Sequence, residues 1–256
     1  MILNLPIKEA KGYKSAAQIT RVITESWTLK NMYCPACVSN RLVDTANNTE
    51  AVDFFCKRCD SLYQLKAKSG RIGRKINDAA YDAMMRAINR DRLPHFLFLG
   101  YNRDNYTIRD LLLIPNFCLG ASAIEARKPL GPKTRRAGWV GCNIVLDYVP
   151  PEGRIHVISA GSLVSRSKVR KHFKQVKPLE DLGVKRRGWT LDVLTALRTL
   201  EGKEFTLEQA YSFEKMLSQM HPDNRHVRDK IRQQLQILRD IGYLKFVKRG
   251  HYRWIK

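Results

Sequence analysis

The order of apolar and polar residues predicts helices that alternate with strands over the first part of the chain. Residues 16–29 have the apolar spacing of an amphipathic helix, with Ile19, Val22, Ile23 and Trp27 on one face. Strands are predicted at residues 51–55, 61–67, 95–101, 110–115, 143–148 and 154–159. The runs at 95–101 and 110–115 are continuously apolar, which is typical of strands covered on both faces.

A second helix is predicted between these strands, at residues 77–90. Asn77 is its expected cap, and Pro94 is expected to prevent its continuation. Strands interleaved with helices indicate an α/β core.

The pattern changes in the last 70 or so residues. Helices are predicted at 188–200, 206–220 and 226–241, followed by a basic hairpin at 243–255 that turns at Arg249 and Gly250. Thr190 is the expected cap of the first helix, and Thr206 with Gln209 forms a capping-box pattern for the second. Three helices and a hairpin predict a winged helix. The expected domains are therefore 1–182 and 183–256.

The third helix of this region has separate apolar and polar faces. Its apolar positions are Val227, Ile231, Leu235 and Leu238. Its polar positions are Arg228, Arg232, Gln233, Gln236 and Arg239. Arg and Gln side chains can form paired hydrogen bonds with base edges in the DNA major groove, so these residues are candidate DNA contacts. The alternative is a solvated face without base contacts.

The net charge of the chain indicates which kind of molecule it binds. Lys and Arg number 46 against 24 Asp and Glu, a net charge of +22, while 44% hydrophobic residues argue against a disordered basic tail. Basic residues outnumber acidic ones in both expected domains, which favours nucleic acid as the partner. A ribosomal-type or merely soluble basic protein is the alternative.

The sequence contains no sign of a membrane partner. It has no apolar run near the roughly 18 residues of a membrane span, and no basic amphipathic helix with a bulky apolar face. Its first residues lack the pattern of a signal peptide. We expect a cytoplasmic protein that is monomeric in solution.

Four of the six cysteines form two short turns, CPAC with Cys34 and Cys37, and CKRC with Cys56 and Cys59. Four thiolates suit tetrahedral Zn²⁺, and a site closed by four protein ligands is structural rather than catalytic. Rubredoxin-like iron and a redox dithiol pair are the alternatives. The remaining cysteines, Cys118 and Cys142, lie in apolar segments and are expected to be buried.

The predicted hairpin around the second cysteine turn also carries a candidate active centre. Asp53 ends its first strand, and Gln64 and Lys66 share one face of its second because strand side chains alternate. Metal-dependent phosphodiester cleavage needs oxygen ligands for Mg²⁺ beside a cation. Asp53, Gln64 and Lys66 fit the D-(about ten residues)-(E/D/Q)-x-K pattern of the PD-(D/E)XK nucleases.

Several longer sequence segments of the chain point to one particular family. The chain contains TESW at 24–27, YCP at 33–35, Asp53-Phe54 before CKRC, IND with AYDAMM at 76–85, RKPLGPKTRRAGWVGCNI at 127–144 and IRQQLQILRD at 231–240. With these segments it resembles the DpnI-type methyl-directed restriction endonucleases along nearly its whole length. The resemblance implies a PD-(D/E)XK domain with a zinc site and a C-terminal winged helix. Both would read a GATC site with methylated adenine, and cleavage of both DNA strands would require Mg²⁺.

One departure from the family concerns Gln64, which occupies the position of a metal-binding glutamate. An amide oxygen can coordinate a metal, but the lost negative charge should lower Mg²⁺ affinity. Glu25 on the first helix is a candidate for the missing carboxylate, its alternative being a solvated surface residue. Lys66 is expected near the attacked phosphate, either assisting catalysis or only binding.

A basic segment precedes Trp139 and contains no acidic residue. Its cations are Arg127, Lys128, Lys133, Arg135 and Arg136. Such a loop can pair with phosphates while Trp139 offers an apolar face near a base, unless Trp139 is a core residue.

The sequence therefore predicts a methylation-dependent type II restriction endonuclease acting on double-stranded DNA at methylated GATC sites. A catalytically weak or inactive methyl-GATC reader is the main alternative. A basic RNA-binding zinc-ribbon protein is the third.

Overall fold

The computed structural model describes residues 1–45 and 51–255. The helices are α1 (Ala16–Asn31), α2 (Tyr81–Asn89), α3 (Arg166–Val176), α4 (Val184–Leu197), α5 (Leu207–Tyr211), α6 (Glu214–Met220) and α7 (Val227–Asp240). The strands are β1 (Val43–Asp44), β2 (Phe54–Phe55), β3 (Leu62–Ser69), β4 (Lys75–Ala80), β5 (His95–Tyr101), β6 (Ile108–Ile114), β7 (Ile124–Ala126), β8 (Gly141–Val145), β9 (Ile155–Ser159), β10 (Ser162–Leu163), β11 (Glu204–Thr206), β12 (Leu244–Lys248) and β13 (His251–Trp254). None of the helices within the described ranges combines the length and the apolar character that crossing a membrane requires.

The chain divides into two compact units, each built from several segments. The first unit contains Met1–Ile76, Arg92–Asn116 and Glu152–Lys177. The second contains Asn77–Asp91, Phe117–Pro151 and Pro178–Lys256.

A seven-stranded sheet forms the centre of the first unit, in the order β1-β2-β3-β5-β6-β9-β10. The β3–β5 pair is parallel, whereas β2 with β3, β5 with β6 and β6 with β9 pair antiparallel. Every residue of β5 is buried, as its continuous apolar run predicts. The mixed α/β class expected from the sequence is confirmed.

Helix α1 packs its apolar face into the first unit. Ile23 and Trp27 are buried, and the Trp27 indole donates a hydrogen bond of 2.6 Å to the carbonyl of Ile2. The hydroxyls of Thr20 and Tyr101 lie 2.9 Å apart, which links the start of the helix to the end of β5. The predicted helix at 16–29 is therefore confirmed and ends two residues later.

The prediction of a helix starting at Asn77 is wrong for its first four residues. Asn77 lies in β4, an edge of the three-stranded sheet β4-β8-β7, and α2 begins only at Tyr81. The Tyr81 amide donates to the carbonyl of Val140, so contacts with a distant segment hold this stretch extended despite a sequence that suits a helix cap. The helix also ends at Asn89, before Pro94 can act on it.

The C-terminal helices follow the predicted order with two corrections. Helix α4 starts at Val184, after Gly183, and the expected cap Thr190 is buried inside it, donating 2.8 Å to Gln234 Oε1. The buried guanidinium of Arg187 binds Asp91 and the carbonyl of Leu182, which draws residues before 188 into the helix. The predicted helix at 206–220 is interrupted between α5 and α6.

The rest of the winged helix agrees with the sequence pattern. Thr206 and Gln209 form the capping box that opens α5. Val227, Ile231, Leu235 and Leu238 of α7 are all buried. The hairpin β12–β13 turns at Gly250, whose φ of +72° suits glycine, and β11 adds a third strand to it.

A buried carboxylate ties the winged helix to the segment before β7. Asp192 on α4 accepts a hydrogen bond of 2.8 Å from the Ser122 hydroxyl, and its Oδ2 lies 2.8 Å from His221 Nε2. The Trp189 ring stacks on His221 with centroids 3.7 Å apart. Because Asp192 is almost fully buried, these partners supply the hydrogen bonds that water cannot.

The turn after β3 is packed against β5 at a glycine. A Cβ added to Gly100 would lie 2.7 Å from the Gly70 carbonyl oxygen and 3.4 Å from the Ile72 side chain. Gly70 itself has a φ of +87°, and its amide donates 2.8 Å to the Tyr101 carbonyl. Two glycines therefore allow the backbone to turn this close to the central strand.

We expect Gly100→Ala to destabilise the protein by about 1–3 kcal/mol, because the added methyl would overlap a backbone oxygen that cannot move without breaking the turn. The midpoint of urea unfolding measures this. Gly73→Ala is the control, since its Cβ would meet only an ordinary contact at 3.9 Å. Equal midpoints for the two variants would contradict the role of Gly100.

Candidate active site and nucleic-acid-binding surfaces

The four cysteines of the two turns converge on one point of the first unit. Their sulfurs all lie within 4.8 Å of one another, with Cys34 to Cys59 and Cys37 to Cys56 both 3.6 Å apart. A tetrahedron with zinc–sulfur bonds of about 2.3 Å places its sulfurs about 3.8 Å apart. The cluster therefore has the size and donor set of a structural Zn²⁺ site. It is the one group of three or more potential ligands this close within the described residues.

Backbone amides face the sulfurs, as in a metal-binding turn. The amides of Ser39 and Arg58 lie 3.4 Å from the sulfurs of Cys37 and Cys56. Burial raises the pKa of Cys56, but the amides of Arg58 and Cys59 and the neighbouring thiols outweigh it and lower that pKa to about 7. In the same cluster burial raises the pKa of Cys34 and Cys37, so a metal ion would have to displace the protons of these two thiols, because metals bind the thiolate.

The first cysteine turn is also held from helix α3. Arg170 donates hydrogen bonds to the carbonyls of Cys34 at 3.2 Å and Ser39 at 2.7 Å. Its guanidinium lies 5.1 Å from the centre of the Tyr33 ring. Arg170 therefore satisfies two turn carbonyls and fixes the turn from outside the cysteine cluster.

The second cysteine turn closes the hairpin β2–β3, as the sequence predicts. The Asp53 amide donates 2.9 Å to the Tyr63 carbonyl, and Phe54 is paired with Tyr63. The Asp53 carboxylate accepts a 2.7 Å hydrogen bond from the amide of Leu65. Leu65 is the residue between Gln64 and Lys66, so the structure brings the Asp53 side chain against this part of β3.

The surroundings of Asp53 shift its pKa in opposite directions. Burial raises its pKa, while the Leu65 amide and the charges of Lys66 and Arg21 act in the opposite direction. Since Lys66 affects Asp53 in this way, its ammonium lies within electrostatic range of the carboxylate. Gln64 and Lys66 are both partly exposed on β3, which leaves them accessible to a ligand.

Glu25 on α1 belongs to the same neighbourhood. Arg21, one turn earlier, donates 2.8 Å to its carboxylate. Burial raises the pKa of Glu25, Arg21 opposes this, and the carboxylates of Asp53 and Asp44 raise it further. Glu25 is thus half-buried near other acids, which differs from the solvated surface residue that was its alternative.

The basic segment before Trp139 forms an extension of the β7–β8 hairpin in the second unit. Hydrogen bonds from the Leu130 amide to the Trp139 carbonyl and from the Gly138 amide to the Leu130 carbonyl, both 2.9 Å, close it. Arg136 lies 4.7 Å over the Trp139 ring, and that ring covers the backbone of Gly141. The exposed residues of the segment include Arg127, Lys128, Lys133, Arg135 and Arg136. Trp139 is partly exposed beside them.

All five polar candidates on α7 are exposed: Arg228, Arg232, Gln233, Gln236 and Arg239. Arg228 binds Glu214 at 2.7 Å, and Arg239 binds Asp240 at 2.8 Å. To bind DNA, each of these two arginines would have to leave its acidic partner and contact the DNA instead.

Comparison with known protein families agrees with this arrangement. The profile described as DpnI, Dam-replacing family, matches residues 1–182. The profile described as the Dam-replacing HTH domain, DpnI_C, matches residues 185–254. The chain belongs to the Dam-replacing family of DpnI-type proteins.

Membership in the Dam-replacing family indicates a methylation-dependent restriction endonuclease with DNA as its partner. The match to the helix-turn-helix domain covers α4 to β13, which confirms the predicted C-terminal DNA-binding fold. The resemblance inferred from short sequence segments is likewise confirmed.

Three polar residues of this Dam-replacing protein were missed by the sequence analysis. Asp44 comes near Asp53 because β1 pairs with β2, and Arg21 approaches because α1 packs beside β3. Arg170 reaches the first cysteine turn from a helix more than a hundred residues later. No motif marks these residues, and only the helical spacing of Arg21 to Glu25 gave a local signal.

We expect the protein to bind about one equivalent of Zn²⁺, and Cys56→Ser to lose it, since the hydroxyl is a poor replacement for a thiolate ligand. Elemental analysis after dialysis measures the metal, and limited proteolysis measures loosening of the β2–β3 hairpin. Cys118→Ala is the control and should leave the metal bound, because Cys118 is a buried cysteine that is not one of the four clustered cysteines. Full zinc content in Cys56→Ser would refute the site.

Proposed function

We propose that this protein is a type II restriction endonuclease that cuts double-stranded DNA at GATC sites whose adenine is methylated. Residues 1–182 would form a PD-(D/E)XK nuclease domain, and residues 183–256 a winged-helix domain. The observation that carries the proposal is the 2.7 Å hydrogen bond from the backbone amide of Leu65 to the Asp53 carboxylate. Family membership supports the reaction class.

In this proposal the residues of the hairpin have separate tasks. Asp53 and Gln64 would hold Mg²⁺ through a carboxylate and an amide oxygen, the hard donors that this ion prefers. Bound there, Mg²⁺ would polarise the phosphate and acidify a water. Lys66 would orient the attacking water and stabilise charge that develops on the phosphate.

Because of Gln64, we expect this centre to bind Mg²⁺ weakly. Compared with glutamate it contributes no negative charge, so the pair of ligands neutralises less of the cation's charge. Glu25 would compensate with its own carboxylate, which is partly buried and accepts a hydrogen bond from Arg21. We propose Glu25 as a third, supporting carboxylate, held in position by Arg21.

DNA recognition would be shared between two cationic surfaces. The loop before Trp139 would grip phosphates through its five cations and present the Trp139 ring, whose face Arg136 already covers. Helix α7 would enter the major groove, where exposed Arg232 and Gln236 could contact base edges. Burying one methyl contributes only about 0.8 kcal/mol, so both surfaces are needed for strong selectivity.

A second candidate function is a methyl-GATC reader that binds without cutting. The observation in its favour is Gln64, which removes one charge from the metal-binding pair. The two functions share the DNA-binding surfaces and differ only at the hairpin.

We expect plasmid DNA with methylated GATC sites to be cut in the presence of Mg²⁺ and left intact in EDTA, while unmethylated plasmid is left intact in both. Gel analysis of cleavage and of retarded complexes measures this. Retardation of methylated plasmid without cutting would support the reader instead. Equal affinity for structured RNA, with no dependence on methylation, would contradict both.

We expect Gln64→Glu to lower the Mg²⁺ concentration needed for half-maximal cleavage, because the added carboxylate strengthens the metal site. A Mg²⁺ titration of the cleavage rate measures this. Gln175→Glu, an exposed change of the same charge on α3, is the control and should leave the midpoint unchanged. If the Gln64→Glu variant cuts DNA and the parent does not, the natural chain is a methyl-GATC reader. If the variant and the parent need the same Mg²⁺ concentration for half-maximal cleavage, Gln64 is not a ligand of the metal.

A further inference from the structure

A row of cations continues from the candidate active centre along β3 and into the turn that follows. Lys68 lies on the same face of β3 as Gln64 and Lys66, two residues further on, and it is exposed. The turn then presents Arg71 and Arg74, which are also exposed. Residues 61–77 contain no acidic residue. Strand β3 and the turn that follows it therefore contribute positive charge and no negative charge of their own.

The turn is fixed in place rather than loosely attached. Gly70 reverses the chain with its φ of +87°, its amide binds the Tyr101 carbonyl, and its own carbonyl occupies the space that a side chain at Gly100 would fill. Ile72 lies 3.4 Å from the position of that side chain. An anchored backbone presents its arginines with less loss of entropy on binding than a free loop would.

The carboxylate paired across the sheet from this turn is already engaged. Asp110 on β6 lies opposite Gly100 in the strand register. Its Oδ1 accepts a hydrogen bond of 2.9 Å from the Ala160 amide, and Arg109 lies 3.6 Å from its Oδ2. Asp110 therefore already has a backbone amide and an arginine as partners.

We propose that Lys68, Arg71 and Arg74 form a flank-binding ridge, which contacts phosphates of the DNA outside the recognised bases, next to the cleaved phosphate. The inference rests on the proposed function, because it takes Lys66 as the residue beside that phosphate. Lys66 and Lys68 are about 6.7 Å apart along the strand, a spacing close to that of successive phosphates on one DNA strand. The ridge adds affinity that depends on duplex length and not on base sequence.

The test compares binding of a short and a long duplex that contain the same methylated GATC site, in buffer without added Mg²⁺ so that no cleavage occurs. For the parent protein, we expect the long duplex to bind at least tenfold more tightly. The triple variant Lys68→Gln, Arg71→Gln and Arg74→Gln should lose this advantage and keep its affinity for the short duplex. A plot of log affinity against log salt concentration should have a slope that is shallower by about two to three for the triple variant than for the parent. This change corresponds to about 0.9 for each phosphate that the variant no longer neutralises.

Two controls separate the ridge from general effects. The variant Lys8→Gln, Lys11→Gln and Lys14→Gln removes the same charge from exposed positions near the start of the chain and should preserve the advantage of the long duplex. A long duplex with neutral methylphosphonates in its flanks should bind the parent as weakly as the short duplex does. This second measurement needs no variant, so it does not depend on how the triple variant folds.

Equal losses on both duplexes, or an unchanged salt dependence in the triple variant, would overturn the ridge. So would tight binding of the methylphosphonate duplex. Because every readout is binding without cleavage, these results are independent of catalysis. A parent that fails to prefer methylated DNA would instead refute the proposed function, whatever the duplex length shows.

Discussion

The hydrogen bond between the Leu65 amide and the Asp53 carboxylate is the constraint on which the candidate site depends. Asp53 precedes β2, so the alternation of a strand does not by itself aim its side chain at β3. The backbone amide of Leu65 holds the Asp53 carboxylate against β3. In the sequence, Leu65 lies between Gln64 and Lys66, the two other residues of the nuclease pattern. The cysteine turn that joins β2 to β3 closes the same hairpin. The cysteine cluster and the position of the acid therefore belong to one local structure.

The acids around this hairpin are unusual for so basic a chain. Glu25, Asp44 and Asp53 influence one another electrostatically, and burial raises the pKa of both Glu25 and Asp53. Grouping like charges costs free energy, which a bound cation offsets. Arg21 partly does so through its bond to Glu25. In the proposed metal centre Gln64 contributes a neutral amide, so the negative charge would come from its carboxylates.

Local patterns predicted those parts of the fold that local sequence determines. The period of apolar residues located α1, β5 and α7, and the cysteine spacing identified the four cysteines that cluster. Asn77 and Thr190 have the right chemistry for caps, but sheet pairing holds Asn77 in β4, and Thr190 lies inside α4, where it donates a hydrogen bond to Gln234. Asp44 and Arg170 reach the site through tertiary packing. Their residue types alone could not have placed them there.

The large positive charge and the methyl selectivity have different physical sources. Phosphate contacts strengthen binding to methylated and unmethylated DNA by the same factor, so no number of basic residues creates a preference between them. A buried methyl worth about 0.8 kcal/mol gives about a fourfold preference, and two methyls give about fifteenfold. Any larger preference requires a penalty against the unmethylated base, such as a desolvated polar group left unpaired. In the proposed function, Trp139 and the exposed residues of α7 are the candidates for imposing that penalty.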